Sequence, residues 1–100
     1  SMDNENHEAM LNMLGTMIDG TIVIKKDAGR DETETTADVH PILALYMLVN
    51  AFAHMLCKCG QTGDKLELDL SGDNVRRLVY GLADSIVDMV GELEDDDEKD

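Results

Sequence analysis

Apolar positions fall along this 100-residue chain in five runs, separated by polar or glycine-containing stretches. In the first run Met10, Leu11, Met13, Leu14, Met17 and Ile18 recur at helical spacing, which predicts an amphipathic helix from about Glu5 to Asp19. Asn4 or Asn6 would cap it, Glu5 and Glu8 complement the positive end of its dipole, and Gly20 suits a left-handed residue after the last turn. The β-branched run TIVIKK, residues 21–26, then predicts a strand. DAGR, residues 27–30, has the chemistry of a type I turn with Gly29 at positive φ, as in a hairpin. The return strand would be DETETT, residues 31–36, polar enough to be an exposed edge or no strand at all.

From Pro41, which fits a first helical turn, ILALYMLVNAFAHMLC predicts a second helix to about Lys58, ended by Gly60. It is apolar nearly all round. Its polar positions before Lys58 are Tyr46, Asn50 and His54, four apart, which makes one narrow stripe. The sixteen apolar-rich residues from Ile42 to Cys57, with an Asn and a His among them, read as too short and too polar for a membrane span, so protein is expected to cover them. KLELDL, residues 65–70, alternates cleanly and predicts a half-buried strand with Leu66, Leu68 and Leu70 on one face. A last helix is predicted from a cap at Ser71 or Asp73 to about Glu94. Its Val75, Val79, Leu82, Ile86, Met89 and Leu93 are spaced 4, 3, 4, 3, 4, and Leu78, Ala83 and Val90 widen that stripe.

The predicted fold is α+β: three helices packed on a small two- or three-stranded sheet, in the order α-β-β-α-β-α, and oligomeric. Residues 3–91 would form a single domain, with 92–100 an acidic disordered tail and Ser1-Met2 a cloning remnant. Residues 30–39 are the one stretch of the body that reads as a strand or a mobile loop.

Charge changes the picture most. Eight basic and 22 acidic side chains give a net charge of −14; residues 92–100, with seven acids and one lysine, account for −6 of it and leave −8 on the body. Phosphate contacts need clustered Lys and Arg, and here these occur in the pairs Lys25-Lys26 and Arg76-Arg77, so direct nucleic-acid binding is not expected. An acidic membrane surface would repel the chain. The acidic N-terminal stretch does not read as a secretory leader, and a reducing cytoplasmic location is expected.

The densest chemistry is HMLCKCG, residues 54–60. His54 and Cys57 share a helix face and Cys59 lies near the helix end, so three zinc ligands could converge there. A fourth is missing: His40 would stand roughly 20 Å away along the same rod. Structural zinc sites draw on two separated ligand pairs, so His54, Cys57 and Cys59 are discounted as metal ligands and no cofactor is expected. Cys57 with His54 as base is discounted as well, because apolar surroundings raise a thiol pKa. Two cysteines this close are expected to be free thiols. No phosphate loop, nucleophile elbow or calcium loop is present, and six of the seven methionines fall on apolar helix faces, where gap-filling is their ordinary use.

These readings predict a non-enzymatic, obligate homo-oligomer, a dimer most simply, because a hundred-residue domain has few places to hide so apolar a central helix. Leu45, Leu48, Val49 and Phe52 are the expected interface. Its acidic surface, with Glu67, Asp69, Asp84 and Asp88 as the rigid set, would serve an interaction or inhibitory role toward a basic protein such as a nucleic-acid-binding protein. The alternative is a small-molecule binding module, or ligand sponge, using Tyr46, Asn50 and His54 at the oligomer interface.

Overall fold

The computed structural model describes residues 3–99. It has the element order α1 (Asn4–Gly15), β1 (Thr21–Lys26), β2 (Thr33–Asp38), α2 (Pro41–Cys59) and α3 (Asn74–Lys99). Three helices and one two-stranded antiparallel sheet make it an α+β chain. Ser1-Met2 lies outside the described residues. The chain divides into two units, Ser1–Leu56 and Cys57–Asp100, with the boundary inside α2.

In the first unit α1 begins at a cap the sequence pattern did not single out. Asp3, rather than Asn4 or Asn6, has extended backbone and its Oδ1 accepts the Asn6 N–H at 2.9 Å. The helix also ends one turn earlier than expected. Thr16 closes it through its hydroxyl, which donates to the Met13 carbonyl at 2.8 Å, and Met17 and Ile18 both turn back onto the Leu14 carbonyl. Gly20 is therefore not a left-handed cap. It is needed for close approach: a Cβ there would stand 2.8 Å from the Val39 side chain.

The hairpin follows the predicted turn. Arg30 N–H donates to the Asp27 carbonyl at 3.3 Å and Gly29 has φ +81°, a conformation that costs glycine little. The return strand forms, but at Thr33–Asp38, two residues later than the polar pattern suggested. That register sets Ile22 opposite Ala37, Ile24 opposite Thr35, and Lys25 directly opposite Glu34, a favourable cross-strand charge pair.

Helix α2 runs as predicted, from Pro41, and its N-terminal cap is His40. The Ile42 N–H donates to His40 Nδ1 at 3.2 Å, and the His40 carbonyl accepts from Ala44 at 2.9 Å. Leu43 and Ala44 are the buried apolar residues among those described, at 8% and 7% exposure. The first unit's core is thus the first turn of α2 with its half-buried neighbours.

The second unit departs most from the pattern. KLELDL forms no strand, so the sheet has two strands and the order is α-β-β-α-α. Nearby side-chain and backbone acceptors capture the Leu66, Glu67 and Leu68 N–H groups that a ladder would have used. Asp64 Oδ1 accepts from the Leu66 N–H at 2.8 Å, the Asp64 carbonyl accepts from Glu67, and Glu67 Oε1 accepts from Gly63. The Leu68 N–H donates to the Cys59 carbonyl at 2.8 Å. Leu70 instead packs on Gly60, where a Cβ would lie 2.8 Å from its Cδ1.

Helix α3 starts at Asn74, the Asp73 carbonyl accepting from the Arg77 N–H at 3.0 Å. It continues to Lys99, into the stretch read as an acidic tail. Leu93 extends the seam, and no proline or glycine follows Gly91 to end the helix.

Candidate functional site

The expected interface residues lie on α2. Leu45 and Val49 are 64% and 66% exposed, and Phe52 is exposed beside them. With Ile42 they recur at spacings of three, four and three, a continuous apolar face directed away from Leu43 and Ala44. Leu48 departs from the group: it is half-buried, at the margin between this face and the buried side. By length and composition α2 is also sufficient to cross a membrane, with 19 helical residues and a mean hydropathy of 1.6 in its most apolar window. The apolar run read from the sequence was three residues shorter than the helix.

Two of the three stripe residues come together. Tyr46 is half-buried, and its hydroxyl donates to Asn12 Oδ1 on α1, tying the two helices. The Tyr46 ring also lies 3.7 Å from where a side chain at Gly15 would begin. Asn50 Nδ2 donates to the Tyr46 carbonyl at 2.9 Å. Both residues line a depression of about 350 Å³ with Ile18, Val39, Leu43 and Met47. His54 is exposed and lies outside that lining. The tie between Tyr46 and Asn12 was not legible in the helical stripe, because stripe spacing says nothing of which neighbouring helix will face it.

The four acids split by kind. Glu67 and Asp69, expected on one face of a strand, are exposed turn residues whose carboxylates accept local bonds. Asp69 Oδ1 accepts from the Ser71 hydroxyl at 2.6 Å and from the Ser71 N–H at 3.0 Å. Those bonds, the hydroxyl's first, hold the Asp69 carboxyl below its ordinary range. Asp84 and Asp88 are exposed one turn apart on α3, opposite the Val75-to-Leu93 seam. On that rigid rod they present two negative charges at fixed separation.

Cys57 is exposed and Cys59 half-buried, and both are free thiols. Among the described residues no three His, Cys, Asp or Glu side chains lie close enough to hold a metal ion.

Helix α3 adds the larger apolar surface. Val75, Leu82, Ile86, Met89 and Leu93 are exposed, and Val79 is half-buried. Within its unit, among the described residues, nothing covers the seam beyond its first turns. Comparison with protein-family models, with curated proteins and with solved structures finds no match to this chain.

Proposed function

We propose that this protein is a non-enzymatic, obligate homo-oligomer, most simply a dimer, that works as an interaction or inhibitory module toward a basic protein in the cytoplasm. One observation carries this reading. A helix whose outer face bears Ile42, Leu45, Val49 and Phe52, and a second whose seam exposes Val75, Leu82, Ile86, Met89 and Leu93, each leave apolar surface for a partner to cover. The net charge of −14 and the outward Asp84 and Asp88 favour a basic partner, which such a surface would steer and hold by charge complementarity.

Sedimentation at low micromolar concentration tests self-association. The native chain should sediment as two chains and Leu45→Asp as one, with its helix content kept; a native monomer contradicts the reading. Titration with a fluorescent polylysine peptide tests the surface. Charge reversal at Asp84 and Asp88 together should abolish binding that a chain ending at Leu93 retains, and binding should fall steeply with salt. Salt-insensitive binding, or loss on truncation alone, contradicts it.

The depression beside Tyr46 and Asn50 favours a second reading, a small-molecule binding module. Its volume is at the low end of ligand pockets, and two polar groups among apolar walls could fix an orientation. Saturable binding of a small molecule, lost in Asn50→Ala, would establish it.

A further inference from the structure

The seam of α3 has a property that its helical periodicity alone does not require. Its spacing of 4, 3, 4, 3, 4 reads the same in both directions, so positions 75 and 93, 79 and 89, and 82 and 86 are each equidistant from residue 84. A two-fold axis level with residue 84 would therefore set every seam residue against a seam residue of a second, antiparallel copy: Val75 on Leu93, Val79 on Met89, Leu82 on Ile86. We propose that the occupant of the α3 seam is the α3 of a second copy of this chain, docked antiparallel in this register. The proposal rests on the self-association reading and names the helix, the partner and its direction.

Spacing alone would also permit a parallel pair, and charge decides between them. Arg76 and Arg77 are exposed at the start of α3, and Glu92, Glu94, Asp95 and Asp96 are exposed in its later turns. A parallel pair in register would set these acids against the same acids, and arginines against arginines, with the two helix dipoles aligned. The antiparallel pair places Arg76 level with Glu92 of the second copy at each end of the pair, while Glu94 and Asp95 come level with Asn74 and Asp73. Packed helix axes are about 8–10 Å apart, comparable to the screening length of about 8 Å at physiological salt, so the difference between the two arrangements survives in solution. The dipoles also oppose favourably. Asp84 and Asp88, opposite the seam, stay outward on both copies, so the pairing leaves the acidic face open.

Disulfide mapping tests direction and register together. In a background of Cys57→Ser and Cys59→Ser, the double variant Val75→Cys/Leu93→Cys is oxidised at low micromolar concentration and its linked peptides are identified by mass spectrometry. One helix holds these positions about 27 Å apart, so a 75–93 bridge can form only between chains. The proposal expects covalent dimers joined 75 to 93. Bridges from 75 to 75 and from 93 to 93 would overturn it in favour of a parallel pair. A two-chain species in sedimentation without any of these bridges would overturn it while leaving self-association standing; a monomer would overturn both. A second measurement leaves the seam untouched. Gly91 lies on the outer half of α3, and a side chain there would meet nothing, so Gly91→Cys carrying a nitroxide reports the distance between copies. Antiparallel pairing separates the two labels by about 21 Å along the axis in addition to the lateral spacing. A short distance set by the lateral spacing alone contradicts the proposal.

Discussion

Helix α2 is apolar over most of its circumference and α3 along one stripe, yet both present an apolar face to solvent in the single chain. In α2 the buried side is used within its own unit, at Leu43 and Ala44 and through the Tyr46 tie to Asn12, and the surplus lies on the opposite side. In α3 only the first turns of the seam are partly covered, and the rest is surplus. What differs is how the two helices would respond to losing a partner. The first has an internal anchor, and the second depends on propensity and on whatever covers its seam, as helices in isolation do.

The largest break in that comparison is a charge placed at the anchor. Leu43→Asp should unfold the first unit, because an unpaired charge buried there costs several kcal/mol, roughly 3 or more. Leu45→Asp, two residues on but outward, should keep the unit's helical circular dichroism and lose only the oligomer. Thermal melts and sedimentation of the two variants side by side check this; equal effects would remove the distinction between anchor and outer face.

These two positions also mark how far the sequence could be read. The periodicity of Ile42 to Cys57 located α2 and its apolar excess, but not which side would turn inward, since nearly every side qualified. The α3 seam was legible throughout, because one stripe admits only one inward face. KLELDL misled because period-two alternation ignores competing acceptors: Asp64 takes the Leu66 and Glu67 N–H groups and the Cys59 carbonyl takes that of Leu68. The acidic candidates fared accordingly, with the helical pair Asp84 and Asp88 on a rigid rod and Glu67 and Asp69 in a turn. Of the two caps, Asp3 was within reach of the sequence and His40 was not. Asp3 stands before the first helical residue, as capping chemistry asks, while histidine is a rare choice for that role and periodicity gives no hint of it.

Smaller effects sharpen the account of the anchor. Tyr46→Phe removes the hydroxyl that holds Asn12 and should lower the melting free energy of the first unit by about 1 kcal/mol, with α3 unaffected. Asp3→Ala should cost about 1 kcal/mol through the lost cap of α1, visible as earlier loss of helical signal on heating. An unchanged melt in either variant would mean that α1 is not held by these contacts.

The smallest expected effect lies in the second unit and depends on pH. The Asp69 carboxyl is held below its ordinary range by Ser71, so its contribution is present above the ordinary carboxylate range and is lost as pH falls through the lowered folded value. Asp69→Asn should lower the neutral melt slightly, leave the melt at acid pH unchanged, and so flatten the acid limb of the stability curve. A steeper acid limb in the variant would reverse that sign.

The central claim is that the exposed faces of α2 and α3 are covered by a second copy. A native mass spectrum of the full chain, taken from low micromolar solution, addresses it most directly because it reports stoichiometry and any bound ligand or metal in one measurement. The account predicts a dominant species at twice the 11.0 kDa chain mass with nothing else bound. A dominant single-chain species across the concentration range would contradict it.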